Sequence, residues 1–140
     1  MLKRLKKFIA FITFIIVSFS CKAQAVENLT TLEKLLVNSW KLESVVIDDK
    51  DIPLTKTQKE GKHQFLANHT SRQLYDELTE NGTWILDEKN MTISIKTDLM
   101  PDEAVLLKII DLKEKKLVFS IVNNETNQSM VFSFTTAGIN

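Results

Sequence analysis

The spacing of apolar residues changes several times along this chain, and each change marks an element. Phe8 to Phe19 is a run of twelve broken only by Thr13 and Ser18. After a polar stretch, Thr30-x-x-Glu33 has the form of a capping box, and Leu32, Leu35 and Leu36 follow at helical spacing. A helix of about two turns ending near Asn38 is expected. From Trp40 the period falls to two. Trp40 and Leu42 share one face and Lys41 and Glu43 the other, while Val45-Val46-Ile47 breaks the alternation in the manner of a bulge. Met91, Ile93 and Ile95 alternate cleanly with Thr92, Ser94 and Lys96. Leu117, Phe119 and Ile121 form another stripe, as do Met130, Phe132 and Phe134. Residues 105–110 are apolar on both sides.

The segments between these runs are short and polar. Asp48-Asp49-Lys50 reads as a turn, and Pro53 confines its segment to an edge or a loop. Residues 55–61 read as a polar connection. Asp87 to Asn90, Lys113 to Lys115 and Asn123 to Asn127 are too short for parallel crossovers, so neighbouring strands are antiparallel. Residues 70–80 fit two patterns. Thr70-x-x-Gln73 would cap a helix carrying Leu74, Tyr75 and Leu78 that stops at Asn81-Gly82; equally, Ser71 to Glu77 would be a strand paired back on His63 to Ala67. The strand is preferred because its neighbours are strands. Eight strands result, near 39–47, 62–67, 71–77, 83–87, 91–97, 104–111, 116–122 and 129–136. The expected fold is all-β: an eight-stranded antiparallel up-and-down barrel with a short N-terminal helix.

Charge separates the start of the chain from its body. Lys3, Arg4, Lys6, Lys7 and Lys22 precede the first acidic residue, Glu27, so residues 26–140 keep 13 basic against 18 acidic side chains, a balance of −5. Such a body has no electrostatic reason to seek nucleic acid. Leu, Ile, Val and Phe make up 36 of its 115 residues, ample for one core. The apolar run after the basic start spans about 18 Å as a helix, short of a roughly 30 Å hydrocarbon layer, and reads as an export signal. Val17-Ser18-Phe19-Ser20-Cys21 resembles a bacterial lipoprotein box, which implies that Cys21 is lipidated and becomes the first residue of the mature protein. Ala23-Gln24-Ala25 offers the alternative of ordinary signal cleavage near Ala25 and a soluble periplasmic or secreted product. The chain thus divides into a signal at 1–21, a tether at 22–29 and a barrel domain at 30–140. The expected location is the outer membrane or periplasm, with lipid anchoring. Cys21 is the only cysteine, so the body holds no disulfide and no thiolate metal site.

Three further segments carry a family likeness: Asn38-Ser39-Trp40-Lys41-Leu42 after the helix, Gly82-Thr83-Trp84-Ile85-Leu86 mid-chain, and Ile110-Asp111-Leu112 followed by Leu117-Val118-Phe119. Together they resemble the lipocalin-like domain proteins common among lipoproteins of the Bacteroidetes group, over residues 30–136. The resemblance implies that Trp40 lies across the closed end of a barrel. The chain departs from true lipocalins in two places. Asn38 stands where lipocalins carry Gly, and residues 129–136 contain no basic residue to stack on Trp40.

Catalytic and cofactor signatures are not found. The glycines at 61, 82 and 138 are isolated, so no phosphate-cradling loop forms, and His63 and His69 stand six apart, which matches no zinc pattern. No nucleophile has a base and an orienting group beside it in sequence. An enzyme, a cofactor and a metal are therefore not expected. The first functional reading is a barrel that holds a small hydrophobic ligand, with Trp40, Leu42, Phe65, Tyr75, Trp84, Ile93, Leu107, Phe119 and Phe132 lining or capping the interior. Tyr75 with His63 or Arg72 would orient it. The second is an interaction or structural module with a filled core, engaging an envelope protein through its outer face or through residues 48–61. An internal cavity of at least about 300 Å³ separates the first reading from the second.

Overall fold

The computed structural model describes residues 28–137. The segment expected to be an export signal, Cys21 and the Ala23–Ala25 site lie outside the described residues. Two short helices and nine strands form within them: α1 (Thr31–Leu36), β1 (Ser39–Ile47), β2 (Lys50–Ile52), α2 (Lys56–Glu60), β3 (Lys62–Phe65), β4 (Thr70–Tyr75), β5 (Leu78–Asp87), β6 (Thr92–Thr97), β7 (Val105–Lys113), β8 (Lys116–Asn123) and β9 (Gln128–Thr136). Every pairing is antiparallel. β3 to β9 follow one another in order, and β1 bonds to β3 on one edge and β9 on the other, closing an eight-stranded barrel. β2 is an addition to it, a three-residue strand on the part of β1 that β3 does not reach.

Two bulges explain where the simple alternation fails. Leu42 faces Phe134 and Ser44 faces Ser133, so Glu43 is the extra residue, and Val45 and Ile47 return to the inner face opposite Phe132 and Met130. In β7 the register slips between Ile109 and Asp111, which leaves Ile110 outside at 57% exposure beside the equally outward Leu106. The apolar run at 105–110 is thus two faces of one strand.

The eight expected strands are present, and 70–75 is a strand. Three local features differ from expectation. Asp48 and Asp49 both adopt positive φ (49° and 65°), the geometry of a tight two-residue hairpin, and this creates β2 before Pro53 ends it. Residues 56–60 form a helix, because Thr55 and Gln58 make a capping box and Gly61 closes the C-terminus. The chain turns at Asp76-Glu77, with Asp76 at φ 47°, so β5 begins at Leu78 and runs through Asn81-Gly82.

α1 plugs one end. The Thr30 hydroxyl accepts from the Glu33 N–H while the Glu33 carboxylate accepts from the Thr30 N–H, and Leu36 is fully buried beneath. The Trp40 indole N–H donates to the Leu36 carbonyl at 2.9 Å, satisfying one of the acceptors that a helix C-terminus leaves open. Around Trp40 the core continues through Phe65, Trp84, Ile93, Ile109 and Leu117. This end of the barrel is solid.

Candidate functional site

The other end is hollow. A cavity of about 350 Å³ lies between the core and the loops that α2 and the β6–β7 connection form. Directly paired residues of neighbouring strands share a face, so the register assigns its walls. On one side stand Leu42 of β1, Leu107 of β7, Phe119 and Ile121 of β8, and Phe132 and Phe134 of β9. Phe119 stacks on Phe134 with centroids 5.1 Å apart and lies tilted 5.4 Å from Phe132, so the three rings form one aromatic cluster in the wall.

The opposite side is polar. His63 of β3 pairs with Gln73 of β4, and Gln73 pairs with Glu80 of β5, which sets the three in one row across the wall. Tyr75 lies one step nearer the mouth and Thr97 on β6 beyond. Lys62 also borders the space, but on the pleat it belongs with Gln64 to the outward set. Gln58 and Gly61 bring α2 to the rim, and Met100, 46% exposed, marks where the cavity reaches solvent. The Thr57 hydroxyl donates to Asp76 at 3.1 Å, tying α2 to the β4–β5 turn across the mouth.

His63 stands out among these groups. Its ring stacks on Phe65 with centroids 4.6 Å apart and meets the edge of Phe134 at 6.3 Å. Its Nε2 is buried with no hydrogen-bond partner among the described residues. Burial pushes the imidazole down to about 4, so it is neutral at physiological pH. Burial, and then the nearby Glu80 carboxylate, raise the Tyr75 phenol above its usual value. The wall therefore presents neutral hydrogen-bonding groups and one carboxylate.

The residues named from sequence fall into two sets. Trp40, Leu42, Tyr75, Leu107, Phe119 and Phe132 border the cavity, whereas Phe65, Trp84 and Ile93 lie in the solid core below it. Arg72 points outward, exposed, opposite Gln64 and Asn81. His63 and His69 do not approach each other as a pair: His69 sits on the turn before β4 and bonds to Glu33. Gln73 could have been found by period two from Tyr75. Glu80 had no such signal, since the Asn81-Gly82 pair hides the strand that carries it.

The family model of the lipocalin-like domain matches residues 36–119. No curated protein matches the chain. Among solved structures it is similar to a DUF4847 family protein from Bacteroides vulgatus ATCC 8482, with a TM-score of 0.50 and 12% identity over 74% of this chain and 96% of that one. It is also similar to the bovine lipocalin allergen Bos d 2, with a TM-score of 0.44 and 13% identity over 77% of this chain and 76% of that one. At such identities the first likeness bears on the fold alone. The family match runs from Leu36, which seals the closed end, to Phe119 in the cavity wall, well over half of the sequence, and the chain belongs to the lipocalin-like domain family.

Proposed function

We propose that this lipocalin-like barrel binds a small hydrophobic molecule in its interior, and that it does so as an exported envelope protein held to a membrane by lipid on Cys21. The cavity carries the reading. At about 350 Å³ it exceeds the roughly 300 Å³ at which small-molecule sites begin, and most of its wall is aliphatic or aromatic. The role is binding without catalysis. The basic start, the short apolar run and the small residue before Cys21 support export and lipidation; two acyl chains would hold the protein stably where one would not.

Native mass spectrometry of the protein taken from its own envelope tests both parts. The expected spectrum has a chain beginning at an acylated Cys21, with a second population heavier by one small molecule. A chain starting near Val26 would remove the anchor. An unliganded mass at every gentle ionisation setting would count against binding.

A further inference from the structure

The interior is divided by polarity, and the division constrains what fits. Of the inward positions on β3 to β6 that reach the cavity, His63, Gln73, Tyr75, Glu80 and Thr97 are polar and Ile95 is apolar. On β7, β8, β9 and β1 the cavity meets only carbon-rich side chains, from Val105 round to Leu42. A wholly apolar guest would strip water from Gln73 and Glu80 without replacing it. A guest with a polar edge would satisfy both.

Charge narrows the chemistry further. Glu80 is the one acidic side chain on the inward face of the wall, and of the nearby cations Lys62 borders the cavity from the outward set of the pleat while Arg72 points away. A carboxylate seated on the polar wall would be repelled by Glu80 in a partly desolvated site. A hydroxyl or an ammonium meets the opposite situation. It can donate to the Glu80 carboxylate, with Gln73 beside it able to donate or accept.

We infer that the cavity selects small amphiphiles whose polar group donates hydrogen bonds, alcohols or amines, with that group seated on Gln73 and Glu80 and the apolar body against Phe119, Phe132 and Phe134. This rests on the reading of the cavity as a ligand site and specifies its occupant.

Three probes of equal chain length test it: 1-nonanol, nonylamine and nonanoate, each titrated at pH 7 by calorimetry and by tryptophan fluorescence, with a Trp84→Phe background isolating Trp40, which borders the cavity. The alcohol and the amine are expected to bind at least about tenfold more tightly than the carboxylate, the scale of one buried group left unpaired or paired. Glu80→Gln is expected to shrink the preference for amine over carboxylate. Gln73→Leu is expected to weaken the alcohol by about tenfold while leaving the cooperative thermal transition in place. Glu80 is only half-buried, so its variant keeps the test alive if the Gln73 variant misfolds. Nonanoate binding as tightly as the other two would overturn this inference and leave the ligand site standing. Failure of all three probes would overturn the ligand site itself.

Discussion

His69 Nε2 donates to Glu33 Oε1 at 3.0 Å and thereby joins the turn before β4 to the helix that plugs the barrel. Glu33 also accepts from the Thr30 N–H, and the Thr30 hydroxyl donates to Glu88 in the β5–β6 turn. The His69 ring lies 4.6 Å from that of Trp84, whose indole N–H reaches the Leu66 carbonyl. One carboxylate thus connects the helix cap, a hairpin turn and a core tryptophan. Burial alone would raise the Glu33 carboxyl, but the bonds from His69 and Thr30 outweigh it and hold the group below its ordinary value. A depressed acid contributes stability above the unfolded value and loses it as pH falls through the folded one. Glu33→Gln keeps the capping acceptor and removes the charge, with an expected cost of about 0.5–1 kcal/mol at pH 7. In urea titrations the gap between the two proteins should close below pH 4.5. A gap that persists at pH 3 would show that the charge is not what matters.

His63 makes a separate acid-sensitive contribution. Its folded value of about 4 lies below the unfolded 6.5, because a buried imidazole resists protonation. Between those limits the unfolded chain takes up a proton that the folded one refuses, so stability is complete above pH 6.5 and declines as pH falls towards 4. The loss should reach about 2 kcal/mol by pH 5. It precedes the Glu33 effect on the way down, which distinguishes the two. His63→Phe keeps an aromatic ring beside Phe65 and removes the titrating group. Its urea midpoint should change little between pH 7 and pH 5, and an undiminished slope would assign the loss elsewhere.

The strands were legible because most of them bury one face and expose the other. Period two located Trp40, Ile93, Ile95, Phe119 and Phe132 on the inner side without reference to any neighbour. The depth of a residue along the barrel was not legible. Trp84 and Ile93 alternate as Leu107 and Phe119 do, yet the first two lie wholly within the core and the last two also line the cavity. Which end is filled depends on how the strands are staggered and on where α1 packs, and no local pattern encodes that. The capping box at Thr55 was legible in principle, since Thr55-x-x-Gln58 has the same form as Thr30-x-x-Glu33. Its five-residue helix lacks an apolar face, so periodicity gave no reason to look for it.

Gly61 links that helix to the cavity. A Cβ there would meet Tyr75 Cδ1 at 2.7 Å and Cε1 at 2.9 Å, so the ring lies directly on the glycine at the end of α2. The backbone is unstrained at φ −66°, and alanine on its own would restrict the unfolded chain favourably by about 0.4–1 kcal/mol. Displacing the ring costs about 1–3 kcal/mol, so Gly61→Ala should destabilise by about 1 kcal/mol in sum. The cost should vanish when Tyr75 is also replaced by Ala, and a double-mutant cycle measures that coupling. The same substitution should change nonanol affinity, because Tyr75 borders the mouth. Additive effects in the cycle would mean that α2 and the ring move independently.

Gly82 is the stricter case. It lies inside β5 between Ser71 of β4 and Thr97 of β6, where an added Cβ would stand 2.3 Å from the Lys96 carbonyl oxygen and 3.0 Å from Ser71 Oγ. The Asn81-Gly82 pair looks like a turn by sequence, but here the glycine admits a close approach of two strands. A flexible ring can move away from Gly61; a carbonyl in a ladder cannot move without breaking the pairing of β5 with β6. Gly82→Ala should therefore cost about 3 kcal/mol or more, well above the Gly61 change. Trp84 follows two residues later, so the distortion should also loosen its packing against Phe65, whose ring it meets edge-on at 5.9 Å. The expected signature is a lower urea midpoint, with faster amide exchange from Gly82 to Leu86 and from Ile93 to Thr97 and unchanged exchange in β8 and β9. Uniform acceleration would mean that the barrel opens only as a whole, and a cost below that of Gly61→Ala would show that the two strands can separate freely at this point.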